Sequence, residues 1–128
     1  MTRPALEAAN RAEAIARLND LARKAMGVAC TAVATQGFRA LLQTEQTRVR
    51  ELIETFDAFT PDNDPHGERD FGAIYQTNDG SWKALQPRES RQKIFWKIDY
   101  YDQNLRYWCN PLDAECRRVM TVMLAGEY

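Results

Sequence analysis

"KIFWKIDYY", Lys93–Tyr101, alternates along its whole length. Ile94, Trp96, Ile98 and Tyr100 fall on one face, and Phe95, Lys97, Asp99 and Tyr101 on the other. A period of two is the pattern of a strand with unlike faces. The first face reads as core. The second mixes charge with aromatic rings, which suits a solvated or binding surface. Upstream, "FGAIYQT" (Phe71–Thr77) reads as a second strand and ends at "NDGS", a hairpin turn signal. Antiparallel pairing of the two would set Asp70 near Asp99 and Asp102, with Tyr100 and Tyr101 between them. "SWKALQPRESRQ" makes their connection longer than an ordinary hairpin loop.

The flanking segments supply the other elements. Leu6–Met26 reads as an amphipathic helix with Ile15, Leu18, Ala22 and Ala25 inward and Leu21 beside them, Arg11, Glu13, Arg17 and Arg23 outward, and Gly27 as its stop. "VACTAVAT" (Val28–Thr35) is β-branched and strand-like, and Gln36-Gly37 turns the chain out of it. A second helix is expected from Thr44 as N-cap, carrying Val49, Leu52, Ile53 and Phe56 and stopped by Pro61. "NPLDAECRRVMTVMLAGEY" closes the chain as a third helix. Asn110 is its N-cap, Pro111 its first position, Leu112, Cys116, Val119 and Met123 its buried stripe, and Gly126 its stop. The order α-β-α-β-β-α predicts a single α+β domain over residues 1–128. Its sheet is small and mainly antiparallel, about three strands, with three helices.

At 128 residues, 45% hydrophobic and 27% charged, the chain can bury a core without metal or disulfide staples. A net charge of −1 gives no global pull toward nucleic acid or an anionic membrane. No apolar run approaches the ~20 residues of a bilayer span, and Arg and Glu interrupt the N-terminal segment where a secretory signal would be apolar. Three cysteines, Cys30, Cys109 and Cys116, form no C-x-x-C pair, so a reducing cytoplasm is the expected compartment. Cys109 is the candidate for thiol reactivity.

The densest chemistry lies in "FTPDNDPHGERDFG", Phe59–Gly72, which holds Asp62, Asp64, Glu68, Asp70 and the chain's one histidine, His66. Asp62, Asp64, Gly67 and Asp70 match the spacing of a calcium loop. His66 then stands at the fifth position and Ala73 at the twelfth, where oxygen ligands belong, so the match fails. Three readings remain: Asx-type turns stiffened by Pro61 and Pro65, a docking surface, or a looser oxygen-ligated cation site joined by Asp99 and Asp102. With isolated serines and a single histidine there is no nucleophile–base pair, and no catalytic residue, metal or cofactor is assigned. At the hairpin's other end Lys83, Arg88, Arg91 and Lys93 surround Trp82, with Glu89 as the acid among them, a cluster that could stack a base but falls short of an RNA-recognition or OB-type platform. Acid at one end and base at the other favour oriented docking to a macromolecule.

"IARLNDLAR", "FDAFTPDNDPHGERDFG", and "IFWKIDYYD" followed by "RRVMTVMLAGEY" together resemble a family of small proteins catalogued as a domain of unknown function, from alphaproteobacterial plasmids and mobile elements. The resemblance implies an accessory role, at times beside anti-restriction genes, and no catalytic residues. The basic loop around Trp82 departs from that pattern.

The expectation is therefore a non-enzymatic interaction protein of a mobile element that inhibits a host defence complex, CRISPR or restriction. Its contact residues would be Asp62, Asp64, His66, Glu68, Asp70, Asp99, Tyr101 and Asp102 on the acidic side, and Trp82, Lys83, Arg88 and Arg91 on the other. The alternatives are a metal-dependent hydrolase using Asp62, Asp64, Asp70, Asp99 and His66, and a nucleic-acid accessory protein acting through Lys83, Arg88, Arg91 and Lys93. Oligomeric state is left open.

Overall fold

The computed structural model describes residues 2–128. Helix α1 (Arg3–Lys24) leads through Gly27, at φ +85°, to strand β1 (Thr31–Ala34). One turn of helix, α2 (Gln36–Arg39), and a longer helix, α3 (Gln43–Glu54), follow. Strands β2 (Phe71–Gln76), β3 (Trp82–Lys83), β4 (Gln92–Tyr101) and β5 (Arg117–Leu124) complete one sheet, and a 3-10 turn (Ala125–Glu127) closes it. The strand order is β1-β5-β4-β2-β3. β1 runs parallel to β5 and the other neighbours are antiparallel.

The α+β class and the β2–β4 pairing are as expected, but the sheet has five mixed strands where three were expected. The largest correction is the C-terminal segment, which is a strand and not a helix. Asn110–Cys116 is a run of turns with Leu112 exposed, and Arg117–Leu124 pairs with β4 from Tyr101↔Arg117 to Ile94↔Leu124. Met, Leu, Ala and Glu favour helix locally. Yet "RRVMTVML" also alternates, and filling the gap between β1 and β4 buries Met120, Val122 and Met123 at once. Tertiary burial overrode propensity. Two smaller corrections concern caps. α3 begins after Leu42 with no side-chain cap, so Thr44 is not its N-cap. Thr35 caps α2 where a simple turn was expected.

One face of the sheet is the core. Ile94, Trp96, Ile98 and Tyr100 of β4, with Ile74, Met120 and Val122, pack against Ile15 of α1, Phe38 of α2, and Val49, Ile53 and Phe56 from α3 and its end. The buried stripe of α1 differs from the expected one: Leu18 and Leu21 are exposed, while Asn19 and Arg23 are buried with Ile15, Ala16 and Ala22. Arg23 donates to the main-chain oxygens of Ile53 and Phe56 at 3.0 Å each and to Asp20 at 2.9 Å. Its guanidinium also lies 5.4 and 5.7 Å from the rings of Phe59 and Trp96. Desolvating such an ion costs several kcal/mol, and three charge-assisted bonds of about 1.5–3 kcal/mol each offset that. Phe56, Phe59 and Trp96 meet edge to face around it, with centroids 4.8–6.0 Å apart.

The opposite face of the sheet is only half covered. Phe71, Phe95 and Tyr128 form an aromatic triangle there, and Lys97 pairs with Asp99 at 2.8 Å.

Two substitutions test this packing. Arg23→Ala leaves the Phe56 carbonyl without its donor and the Ile53 carbonyl with only the Phe56 N–H, and urea titration should show a loss of about 1–3 kcal/mol. A Cβ on Gly72 would sit 2.5 Å from the Trp96 indole nitrogen, inside the core. Gly72→Ala should therefore cost about 1–3 kcal/mol by the same measurement.

Candidate docking surface

The acidic loop is built from its own short-range bonds. The Asn63 carboxamide accepts from Thr60 N–H at 2.8 Å and donates to the Ala58 carbonyl at 2.8 Å. Asp64 Oδ1 accepts from Arg69 N–H at 3.1 Å. Two residues in the left-handed region, Gly67 at φ +70° and Arg69 at φ +52°, reverse the chain. That conformation costs a non-glycine residue roughly 1–2 kcal/mol. The Arg69 side chain holds it in place by forking onto both oxygens of Asp20 at 3.2 and 2.9 Å and reaching Glu13 at 3.2 Å. Burial pushes the Asp20 carboxyl up, but the bonds from Arg23 and Arg69 more than offset this and hold it below its ordinary value.

The predicted acidic residues do not form one cluster. Glu68 turns inward, where its carboxylate accepts from the Tyr100 hydroxyl at 3.0 Å and its carbonyl accepts from Asn19 at 2.9 Å. Asn19 also donates to the Tyr100 oxygen at 2.8 Å and accepts from Arg118 at 2.7 Å, which satisfies the buried network. Burial, more than any neighbour, raises the Tyr100 phenol and keeps it a donor. Asp102 lies beyond the end of β4, capping its own turn through Asn104 and Arg106 N–H. Tyr101 sits at the last pair of the β4–β5 ladder and bridges to Trp108.

Asp64, His66, Asp70 and Asp99 do come together. With Lys97 and Tyr128 they line a 300 Å³ cleft where the loop meets the first residues of β2 and the end of β4. Burial first, and the nearby charge of Glu68 second, push the Asp70 carboxyl above its ordinary value. The hydrogen bond to Asp99, opposed by burial, raises Lys97 and keeps it charged. Among the described residues no group of three His, Cys, Asp or Glu side chains is placed to hold a metal ion.

Trp82 also departs from expectation. It is 5% exposed, packed in the core, and its indole N–H donates to Glu45 at 3.2 Å. The ring fastens β3 to α3 and offers no face to a base. Lys83, Arg88, Arg91 and Lys93 are exposed around it. The register Tyr75↔Lys93 and Gln76↔Gln92 puts them at the far end of the hairpin from Asp70 and Asp99. At ~3.4 Å per residue the two charge groups stand roughly 17 Å apart along the strands.

The family model described as "Protein of unknown function (DUF3768)" matches residues 34–127. The chain belongs to the DUF3768 family. The match takes in the acidic loop, the cleft except for Tyr128, and the basic segment, while α1, with Glu13, Asn19, Asp20 and Arg23, precedes it. Among curated proteins and among solved structures, nothing matches this DUF3768 chain. Among the described residues no helix is long and apolar enough to cross a membrane.

Asn19, Arg23, Arg118 and Tyr128 were missed as positioning residues. Ile15, Ala16, Asn19, Ala22 and Arg23 form an unbroken helical stripe, and that spacing was the available signal for the first two.

The raised Asp70 carboxyl carries a pH dependence. Its folded value lies above the unfolded one, so it costs no stability below the ordinary Asp range and lowers stability as pH rises through its folded value. Asp70→Asn should raise the melting temperature at neutral pH, and the gain should disappear in acid.

Proposed function

We propose that the chain is a non-enzymatic interaction protein that docks a basic face of a partner protein against the acidic cleft. The observation that carries this is charge segregation along one hairpin and the loop that enters it: Asp64, Asp70 and Asp99 around a cleft with one cation, Lys97, and Lys83, Arg88, Arg91 and Lys93 at the other end, where they outnumber Asp79 and Glu89. Such a pattern steers and orients a macromolecular partner. Carboxylates held at fixed positions by a self-bonded loop can stand in for phosphates toward a nucleic-acid channel. The finer reading follows: an accessory protein of an alphaproteobacterial mobile element, acting in the cytoplasm to inhibit a CRISPR or restriction complex. Asp62, exposed in the same loop on the wall of the neighbouring groove, extends the acidic face. The metal-dependent hydrolase has no donor cluster among the described residues to support it. A single-strand binder loses its stacking ring with Trp82 buried.

DNA cleavage by purified CRISPR effectors and restriction endonucleases, with and without this protein, tests the proposal. Inhibition should weaken as salt rises. It should fall about tenfold or more in the double variant Asp62→Asn/Asp64→Asn, whose amide oxygen at position 64 still accepts from Arg69 N–H. Inhibition that survives the double substitution in a folded protein overturns the phosphate-mimic surface.

A further inference from the structure

We infer that the free edge of β2 is a strand-addition site, which takes an extended peptide segment of a partner protein carrying apolar side chains at alternate positions and a Lys or Arg opposite Asp62. This concerns the strand edge and not the acidic cleft, and it stands whether or not the cleft binds a basic face.

The Ile98 N–H donates to the Asp70 carbonyl at 2.8 Å. Bonded and non-bonded pairs alternate in an antiparallel ladder, so Gly72 and Ile74 turn their main-chain groups to β4 while Phe71 and Ala73 turn theirs away. On that outer side β3 takes up only Tyr75 and Gln76, through Lys83 and Trp82. Among the described residues no loop bonds to the main chain of Phe71 or Ala73. Exposed edges are usually blunted by proline, lysine or a bulge. Phe71–Ile74 has none of these, and β2 pairs with β4 without interruption.

The edge lies in a groove of 550 Å³ between two loops, with Ala58 and Asp62 on one wall and Ala84 and Leu85 on the other. Leu85 is 73% exposed, an apolar side chain awaiting cover. Asp62 is the only charged side chain lining the groove, and it has no hydrogen bond or ion pair among the described residues. At ~3.4 Å per residue a segment of about four residues spans the free stretch. Its main-chain bonds would supply affinity, and Leu85 and Asp62 selectivity. A second copy does not fit this role: its own β2 edge is recessed between the same loops, and Asp62 would approach Asp62.

Amide hydrogen exchange by NMR on the free chain comes first. The Phe71 and Ala73 amides should exchange quickly and those of Gly72 and Ile74 slowly; slow exchange at Ala73 in the monomer means a covered edge and overturns the inference. Random linear peptides displayed on phage are then selected on the protein and the enriched ones resynthesised. They should alternate apolar residues around a Lys or Arg and slow exchange at Ala73. Their binding should weaken about tenfold or more on Ala73→Pro, which removes an outward N–H that β4 does not use. Thermal unfolding checks that this variant is folded, and Asp62→Lys, at an exposed position, should shift selection toward acidic peptides. No enrichment, enriched peptides that leave Ala73 exchanging freely, or Ala73 protection that disappears on dilution of a dimer each overturn the proposal.

Discussion

A buried guanidinium organises this fold. Arg23 leaves α1 near its end and donates to main-chain oxygens at Ile53 and Phe56, where α3 finishes, while its plane lies beside Phe59 and Trp96. The planar fork matters, because a lysine presents one point charge and cannot bond both carbonyls in fixed geometry. Through Asp20 the same residue is coupled to Arg69, and so to the loop's left-handed turn. Helix packing, the aromatic cluster around Trp96 and the course of the acidic loop therefore share one electrostatic junction. Removing one partner leaves the others uncompensated, so contributions at this junction will not add.

The junction has a functional consequence. An acidic loop repels itself, and a flexible one would spread its carboxylates and lose conformational entropy on every encounter. Here Arg69 neutralises Glu13 and Asp20 beneath the loop, Asn63 and Asp64 are spent on its internal bonds, and Glu68 is drawn into the Tyr100 network. Asp62, Asp70, Asp99 and the second oxygen of Asp64 are left to face outward: Asp62 is exposed, Asp64 and Asp70 line the cleft, and Asp99 is paired with a lysine. Electrostatic complementarity from such an arrangement contributes orientation and association rate more than raw affinity.

How far the sequence was legible follows from where the deciding forces act. β2 and β4 could be read because their alternation is set by a sheet with one buried face, and their register placed Asp70 beside Asp99 correctly. Local side-chain bonding in the acidic loop was read because Asn63 and Asp64 act on neighbours a few residues away, but their donors are the Thr60 and Arg69 N–H groups and not the residue two places on that an Asx turn uses. β5 was missed because "NPLDAEC" carries sound helix-start chemistry and "RRVMTVML" fits both periods. Only the vacancy between β1 and β4, closed by residues nearly ninety positions apart, such as Thr31 and Val119, decides between them. Arg23 was placed outward on polarity, and Asn19 was assigned to neither face. Their partners, the Ile53 and Phe56 carbonyls and the Glu68 main chain, are far along the chain and invisible to any local pattern.

The misread segment also finishes the candidate surface. Because Arg117–Leu124 runs as a strand, the chain end returns to the half-covered face, where Tyr128 closes the triangle with Phe71 and Phe95 and walls the acidic cleft. As a helix it would have pointed its end elsewhere, and the cleft would lack that wall. Glu127 secures this return by accepting from Thr35, Gly37 and Leu124, hydrogen bonds that hold its carboxyl below the ordinary glutamate value. One sheet thus separates its tasks by direction. Its inner face holds the core, its strand axis sets acid against base, and its β2 edge keeps main-chain groups unspent.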